Sequence, residues 1–330
     1  MGYTTNYWES PYWVINKNLN NDQRDRVFGN LGLKYDIVPG LSLQGFVRTD
    51  YYTFRTNQRI ASGTPTAQDY YEDQAISLRE NNYEALLDYS SQFGDFSIDG
   101  QLGANLRQNN YDRNRSFTEN GLSVPDLYTI DASNARPNID NYRYQKEVQS
   151  VYGRIGIGWR SMLYVDATGR NDWSSALEEG NNSYFYPSVS GSFVFSELIA
   201  NPDIVSYGKI RGGIATVGND TDPYNTRNTI GNIGPFGSNP GFAVPTTLNN
   251  PNLRSESITT WETGLEMRFF NDRAGFDLTY YNIESEDLII PVGISSTTGF
   301  SNTFVNAGLL TNKGIELRVY GTPVSTENFT

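Results

Sequence analysis

Cysteine and histidine are both absent from the 330 residues. The first absence excludes disulfides, thiolate metal ligands and cysteine nucleophiles. The second removes the commonest general base and the commonest transition-metal ligand. Ser-His-Asp and Cys-His catalysis, zinc hydrolysis and histidine-ligated iron are excluded, and no cofactor or metal is expected. A cysteine-free chain is compatible with any compartment and suits one that crosses an oxidising periplasm unfolded. Positive charge is scarce: 25 Lys and Arg against 37 Asp and Glu give a net charge of −12. A phosphate backbone would be repelled, so no nucleic-acid partner is expected. Long apolar runs are missing as well. The longest, Leu288 to Ile294, is broken by Pro291 and falls far short of the ~20 residues of a membrane-crossing helix. No charged segment followed by an apolar one comes after Met1, so no signal peptide is expected in the sequence. The chain is then either cytosolic or an internal piece of a longer, exported protein.

Aromatics are plentiful, with 23 Tyr, 17 Phe and 5 Trp. Rings with a polar tip suit a membrane interface or a sugar-binding surface. Mean hydropathy is −0.53, a value typical of soluble proteins. It is equally that of an outer-membrane barrel, where only every second strand residue faces lipid.

The clearest local signal is WETGLEMRFFNDRAGFDLTYYN at 261–282. Trp261, Thr263, Leu265, Met267 and Phe269 share one parity; Glu262, Gly264, Glu266 and Arg268 share the other. After Asn271-Asp272-Arg273, Phe276, Leu278 and Tyr280 alternate with Asp277, Thr279 and Tyr281. A period of two is a strand with one apolar and one wet face, and the pair reads as a β-hairpin. The same alternation marks strands at 27–37, 41–50, 82–93, 96–107, 151–159, 163–170, 185–195, 209–217 and 315–320, the 209–217 strand alternating poorly. Residues 1–25 read as loop, and 197–206 as a short helical turn.

Connection length alternates with equal strictness. Short turns fall at 38–40, 94–95, 160–161 and 271–274, with a moderate one at 197–206. Long polar connections fall at 53–80, 109–144, 173–182, 219–257 and 284–310. Antiparallel strands joined this way place short turns on one rim and long loops on the other. Long structureless loops are unusual in compact domains and expected at the outer rim of an outer-membrane barrel. Strands of ~10 residues, tilted as in such barrels, cross roughly 25 Å of hydrocarbon; sandwich strands are commonly half as long. The expected fold is an all-β, antiparallel up-and-down transmembrane barrel wall of about eleven strands.

On that fold the wet-face charges Arg48, Asp50, Asp99, Arg107, Asp166, Arg170, Glu262 and Arg268 are the candidates to line a lumen. There they would grip a plug or a polar solute, or simply solvate a polar wall. Tyr7, Trp8, Tyr12, Trp13, Tyr70, Tyr71 and Tyr128 are candidates to stack on sugar rings or to pack loops. The acid pair Glu178-Glu179 and the cluster Glu284, Glu286 and Asp287 offer carboxylates for glycosidase work or for plain solvation. Asn219-Asp220-Thr221-Asp222 carries oxygen ligands but lacks the glycine and terminal Glu of a Ca²⁺ loop. Gly156-Ile157-Gly158 lacks the third glycine of a dinucleotide fingerprint.

Several segments resemble one family. RNDWSSAL (170–177), NSYFYPSVSGSFVFSEL (182–198), KIRGGIATVGNDTDPY (209–224), NPNLRSESITTWETGLEMRFFNDRAGFDLTYYN (250–282) and STTGFSNTFVNAGLLTNKGIEL (296–317) are similar to the barrel of SusC/RagA-like TonB-dependent transporters of the Bacteroidetes outer membrane. NYWESPYWVINKNLNNDQRDRVFGN at 6–30 resembles an earlier part of the same barrel. The resemblance implies residues 1–330 are a partial barrel domain, about half of a 22-stranded barrel, with signal peptide, TonB box and plug lying elsewhere. It implies active import of oligosaccharides or oligopeptides across the bacterial outer membrane. The implied partners are a SusD-like surface lipoprotein, the TonB complex through the missing N-terminal region, and outer-membrane lipid. Two other readings stay open from the residues themselves. One is a soluble β-sandwich that binds carbohydrate or mediates adhesion; the other is a hydrolase built on Glu178 and Glu179.

Overall fold

The alternating stretches are strands, and most run longer than their alternation. The computed structural model describes residues 8–199 and 204–322. A short helix α1, Pro11–Lys17, comes first. Then follow β1 (Asn20–Val38), β2 (Leu41–Ile60), β3 (Tyr70–Phe93), β4 (Phe96–Phe117) and β5 (Asn138–Trp159). Shorter strands continue: β6 (Leu163–Ser174), β7 (Ser183–Val194) and β8 (Val205–Asn219). Next come a small hairpin, β9 (Gly231–Phe236) and β10 (Asn239–Ala243), and the two-residue β11 (Thr247–Leu248). The chain closes with β12 (Glu256–Phe269), β13 (Ala274–Glu286), β14 (Ile289–Gly293), β15 (Asn302–Asn306) and β16 (Leu309–Gly321). Eleven strands form one sheet in the order β1-β2-β3-β4-β5-β6-β7-β8-β12-β13-β16. The remaining strands form two small sheets inside the long connections, β10-β9 and β11-β15-β14.

Several expected boundaries move. The stretch 1–25 is not simply loop: it contains α1, opened by Pro11 in the first turn, and the start of β1. The connection at 53–80 shrinks to 61–69 and that at 109–144 to 118–137, because β2 to β5 extend beyond their alternating parts. The poorly alternating 209–217 lies within a regular strand. The helical turn near 197 is a 3₁₀ turn at Phe195–Leu198. Tyr7, and the turn expected at the chain's end, lie outside the described residues.

The described chain divides into two compact units. The first holds the described residues of Met1–Leu31, Val47–Tyr83 and Arg107–Lys146; the second holds Gly32–Phe46, Glu84–Leu106 and the described residues of Glu147–Thr330. In the second unit the register shows how the sheet is built. Trp159, Leu163, Phe193, Ile210, Leu265, Leu278 and Leu317 are successive cross-strand partners from β5 to β16. One pleat away on the other face run Tyr164, Ser192, Arg211, Gly264, Thr279 and Glu316. Each face is thus uniform across neighbours, which is what pins the register of a two-faced sheet.

Among the described residues no second layer covers the apolar row. Leu317 is 63% exposed and Leu102 58%, while Leu106 and Leu265 are half-buried among their strand neighbours. Most of the buried hydrophobic residues, such as Leu122, Leu177 and Leu253, sit in the connections instead, with Val148 and Val194 the exceptions in strands. A soluble sandwich would bury the rows and expose the loops. The short turns carry the backbone that tight reversals require. Gly40 follows Pro39 at φ +83°, and Asn271 and Asp272 adopt the left-handed region at 55° and 66°.

Candidate functional site

The charged face of the sheet is the candidate site, and strand parity alone positions it. In the first unit Arg48 and Asp50 are half-buried on β2, while the alternating Val47 and Thr49 are exposed. Asp50 accepts a two-point contact from Arg26 on β1, with Nε at 2.8 Å. Arg107 is exposed at the edge of the same unit.

In the second unit Asp99 accepts the Ser90 hydroxyl at 2.7 Å. Asp166 on β6 takes both Nε and Nη2 of Arg154 on β5. Arg170 donates Nε to Asp172 at 2.8 Å and Nη2 to Ser150 at 2.8 Å, and lies over the Tyr152 ring. Arg268 donates to Glu266 at 2.8 Å and covers the Tyr207 ring. Glu262 is exposed and borders a recess of about 230 Å³ with Asp166, Lys209 and Arg211. The candidates therefore do not converge on one centre. They are spread along the wet face, most of them engaged with a neighbour on the same or an adjacent strand.

Sequence reasoning missed several members of this network. Arg211 reaches across Gly264 to Asp277 at 2.8 Å and Thr279 at 2.7 Å. A Cβ at Gly264 would stand 2.8 Å from the guanidinium carbon, so the bare glycine gives Arg211 its path. Arg154, Asp172 and the Tyr152–Glu84 hydrogen bond also belong here. Arg211 shares the parity of Lys209, and Arg154 has the parity opposite to Ile155, so alternation would have found both; glycines at 208, 212 and 213 blur that signal in β8.

The long connections of the second unit form a hydrogen-bonded hub. Glu178 accepts Arg227 Nε at 2.7 Å and Nη2 at 3.1 Å, and the Thr226 hydroxyl at 3.0 Å. The Arg227 guanidinium holds the Glu178 carboxyl below the usual carboxylate range. A glycosidase acid needs the opposite shift, and the neighbouring Glu179 is exposed. Asp220 accepts the Ser174 hydroxyl and Thr221 accepts Asn225 Nδ2, so these oxygens serve loop packing. Glu284 accepts Asn282 Nδ2.

Among the aromatic candidates, Tyr70 packs on Phe117 and Tyr71 on Tyr128. Tyr128 donates its hydroxyl to Asp126, and burial with that acceptor raises it to about 12. Trp13 donates to Thr64 at 3.0 Å. Trp8 and Tyr12 are 76% and 75% exposed.

A sheet with one lipid-type face, one charged face and its longest connections all at one end of the strands is the wall of an outer-membrane β-barrel. A family profile described as TonB dependent receptor-like, beta-barrel, matches residues 1–330. The chain belongs to that family and is an outer-membrane protein. It is 26% identical to TonB-dependent receptor P26 of Formosa agariphila, over 98% of this chain and 34% of that protein. It is 24% identical to TonB-dependent receptor SusC of Bacteroides thetaiotaomicron, over 99% of this chain and 36% of that protein. In fold it is similar to the RagAB peptide importer in its closed-closed state: TM-score 0.82, 19% identity, 96% of this chain and 36% of that one. The chain spans about a third of the length of these relatives.

Proposed function

We propose that this chain supplies barrel wall and outer loops to an active importer of oligosaccharides or oligopeptides in the outer membrane. One observation carries the reading: the ion-paired wet face backing onto a mainly apolar face, in a sheet whose longest loops leave from one end of the strands. Such a wall holds a water-filled, charged interior through which a polar solute can pass. Its ion pairs give the solute or a plug many weak, exchangeable partners rather than one deep site. The relatives are about three times as long, which supports residues 1–330 being a partial barrel domain, with plug and TonB box on other segments of the receptor. By likeness to SusC, the partners are a SusD-like lipoprotein at the long loops and TonB at the opposite side. The candidate charges Arg48, Asp50, Asp99, Arg107, Asp166, Arg170, Glu262 and Arg268 would line the interior.

Deleting the gene for the intact receptor tests the proposal. Growth is expected to fail on one polymeric glycan or peptide source while persisting on its monomers. Unchanged growth on every polymer tested would count against import.

A further inference from the structure

Where β7, β8 and β12 meet the long connections, the second unit holds a recess of about 380 Å³. None of the candidate charges lines it. Its platform is a pair of tyrosines two apart on β7 and hence on one face. The rings of Tyr184 and Tyr186 stand 5.9 Å apart with their planes 26° from parallel. Tyr186 is fixed by donating its hydroxyl to Asp172, which Arg170 holds in turn. Tyr184 lies against Gly218, where a Cβ would sit 2.7 Å from the ring. Both rings are thus placed before any ligand arrives, which lowers the entropic cost of binding.

The rim is polar and of mixed sign. Arg254 and Asp287 face each other loosely at 3.9 Å, with side chains 63% and 47% exposed. Glu256 accepts the Ile289 N–H and Asn219 Nδ2, and Thr216 adds a hydroxyl. An ionic ligand would call for a rim of one sign, and an apolar one would strand Arg254 and Asp287 without water. An extended peptide gains most of its affinity by adding to an open strand edge. Here the facing edges of β7 at 183–187 and β8 at 216–219 are unpaired, but the Tyr184 and Tyr186 rings stand against Gly218 across that gap and would have to move to admit a strand. What fits is a ligand with a flat apolar face and a ring of neutral donors and acceptors.

We propose that this recess is a glycan-binding subsite in which a neutral pyranose ring stacks on Tyr184 and Tyr186 and hydrogen-bonds to the Arg254–Asp287 rim. The proposal rests on the import reading and names its substrate class. The test is calorimetry on the intact receptor, purified in detergent, against short neutral hexose oligosaccharides and, in parallel, oligopeptides of mixed sequence. An oligosaccharide is expected to bind, and Tyr184→Ala to weaken it about tenfold, the scale of one lost aromatic contact. Tyr184→Phe keeps the ring and is expected to bind as the parent does. Gly218→Ala, which keeps both tyrosines but crowds the ring, is expected to weaken binding as well, so the result does not depend on one variant folding. Unaltered oligosaccharide affinity in both Tyr184→Ala and Gly218→Ala overturns the subsite, as does binding of peptides alone. If the deletion strain still loses growth on its polymer, import stands and only the subsite falls. If the parent binds neither panel and deletion leaves growth unchanged, the import reading itself is what has failed.

Discussion

Asparagine holds the outer loops of the second unit together, because its amide carries donors and an acceptor on one short side chain. Asn306 accepts the Arg254 N–H at 2.9 Å and donates to the carbonyls of Arg254 and Asp287 at 2.8 and 2.9 Å. Asn249 bridges the carbonyls of Tyr224 and Arg227 in the same way. Asn306→Ala leaves three backbone groups to water and is expected to loosen the 287–308 connection by about 1–2 kcal/mol. Faster protease nicking of that segment on intact cells, with the barrel itself unaffected, is the readout. The Glu178–Arg227 contact adds a pH dependence. Its carboxyl is more acidic in the folded loops than in an unfolded chain. Its contribution is therefore complete above the ordinary carboxylate value and lost as pH falls through the lowered one. Nicking of the 220–255 connection is expected to be level at neutral pH and to rise in acid, and Glu178→Gln to remove that rise. Both side chains reach solvent, so the effect is expected to shrink in high salt.

At the scale of the element, parity in β12 and β13 was legible because Leu265 and Leu278 pair in the apolar row while Glu266 and Asp277 pair on the charged face. Alternation reports the two solvents rather than the strand. TFRTNQRI at 53–60 and QNNYDRNRSF at 108–117 are polar on both faces, so they read as loop although β2 and β4 continue through them. The seven residues of α1 are too few to show a helical period, and Ser10-Pro11 was the one local sign of a helix start. The site was legible as a face but not as pairs. Asp166 was visible, whereas its partner Arg154 depends on the register between β5 and β6, which no single strand encodes. The same logic predicts mutational cost. Leu265→Arg places a charge in the apolar row and is expected to cost about 2–4 kcal/mol if the row sits near the bilayer midplane. Ser190→Arg, on the wet face, is expected to cost little. Urea unfolding in lipid vesicles, followed by the mobility shift of folded barrel on unheated gels, compares the two.

For the whole molecule, the lack of cysteine in residues 1–330 allows a direct test of which solvent each face meets. Single cysteines at 262, 263, 265 and 266, in the intact receptor with any cysteine of its other segments replaced by serine, sample both faces of β12. In isolated outer membranes a water-soluble maleimide is expected to label Glu262→Cys and Glu266→Cys and to spare Thr263→Cys and Leu265→Cys. A lipid-soluble thiol reagent is expected to show the reverse preference. The second arm decides between architectures, because in a soluble sandwich the apolar parity would be shielded by protein and refuse both reagents. Equal labelling of both parities from water would mean that neither face meets lipid, and the membrane reading of the sheet would then be lost along with the transport built on it. The alternation of reagents, if found, requires water on one side and hydrocarbon on the other of a single layer of backbone, a condition that a closed barrel satisfies because it leaves no strand edge bare in lipid.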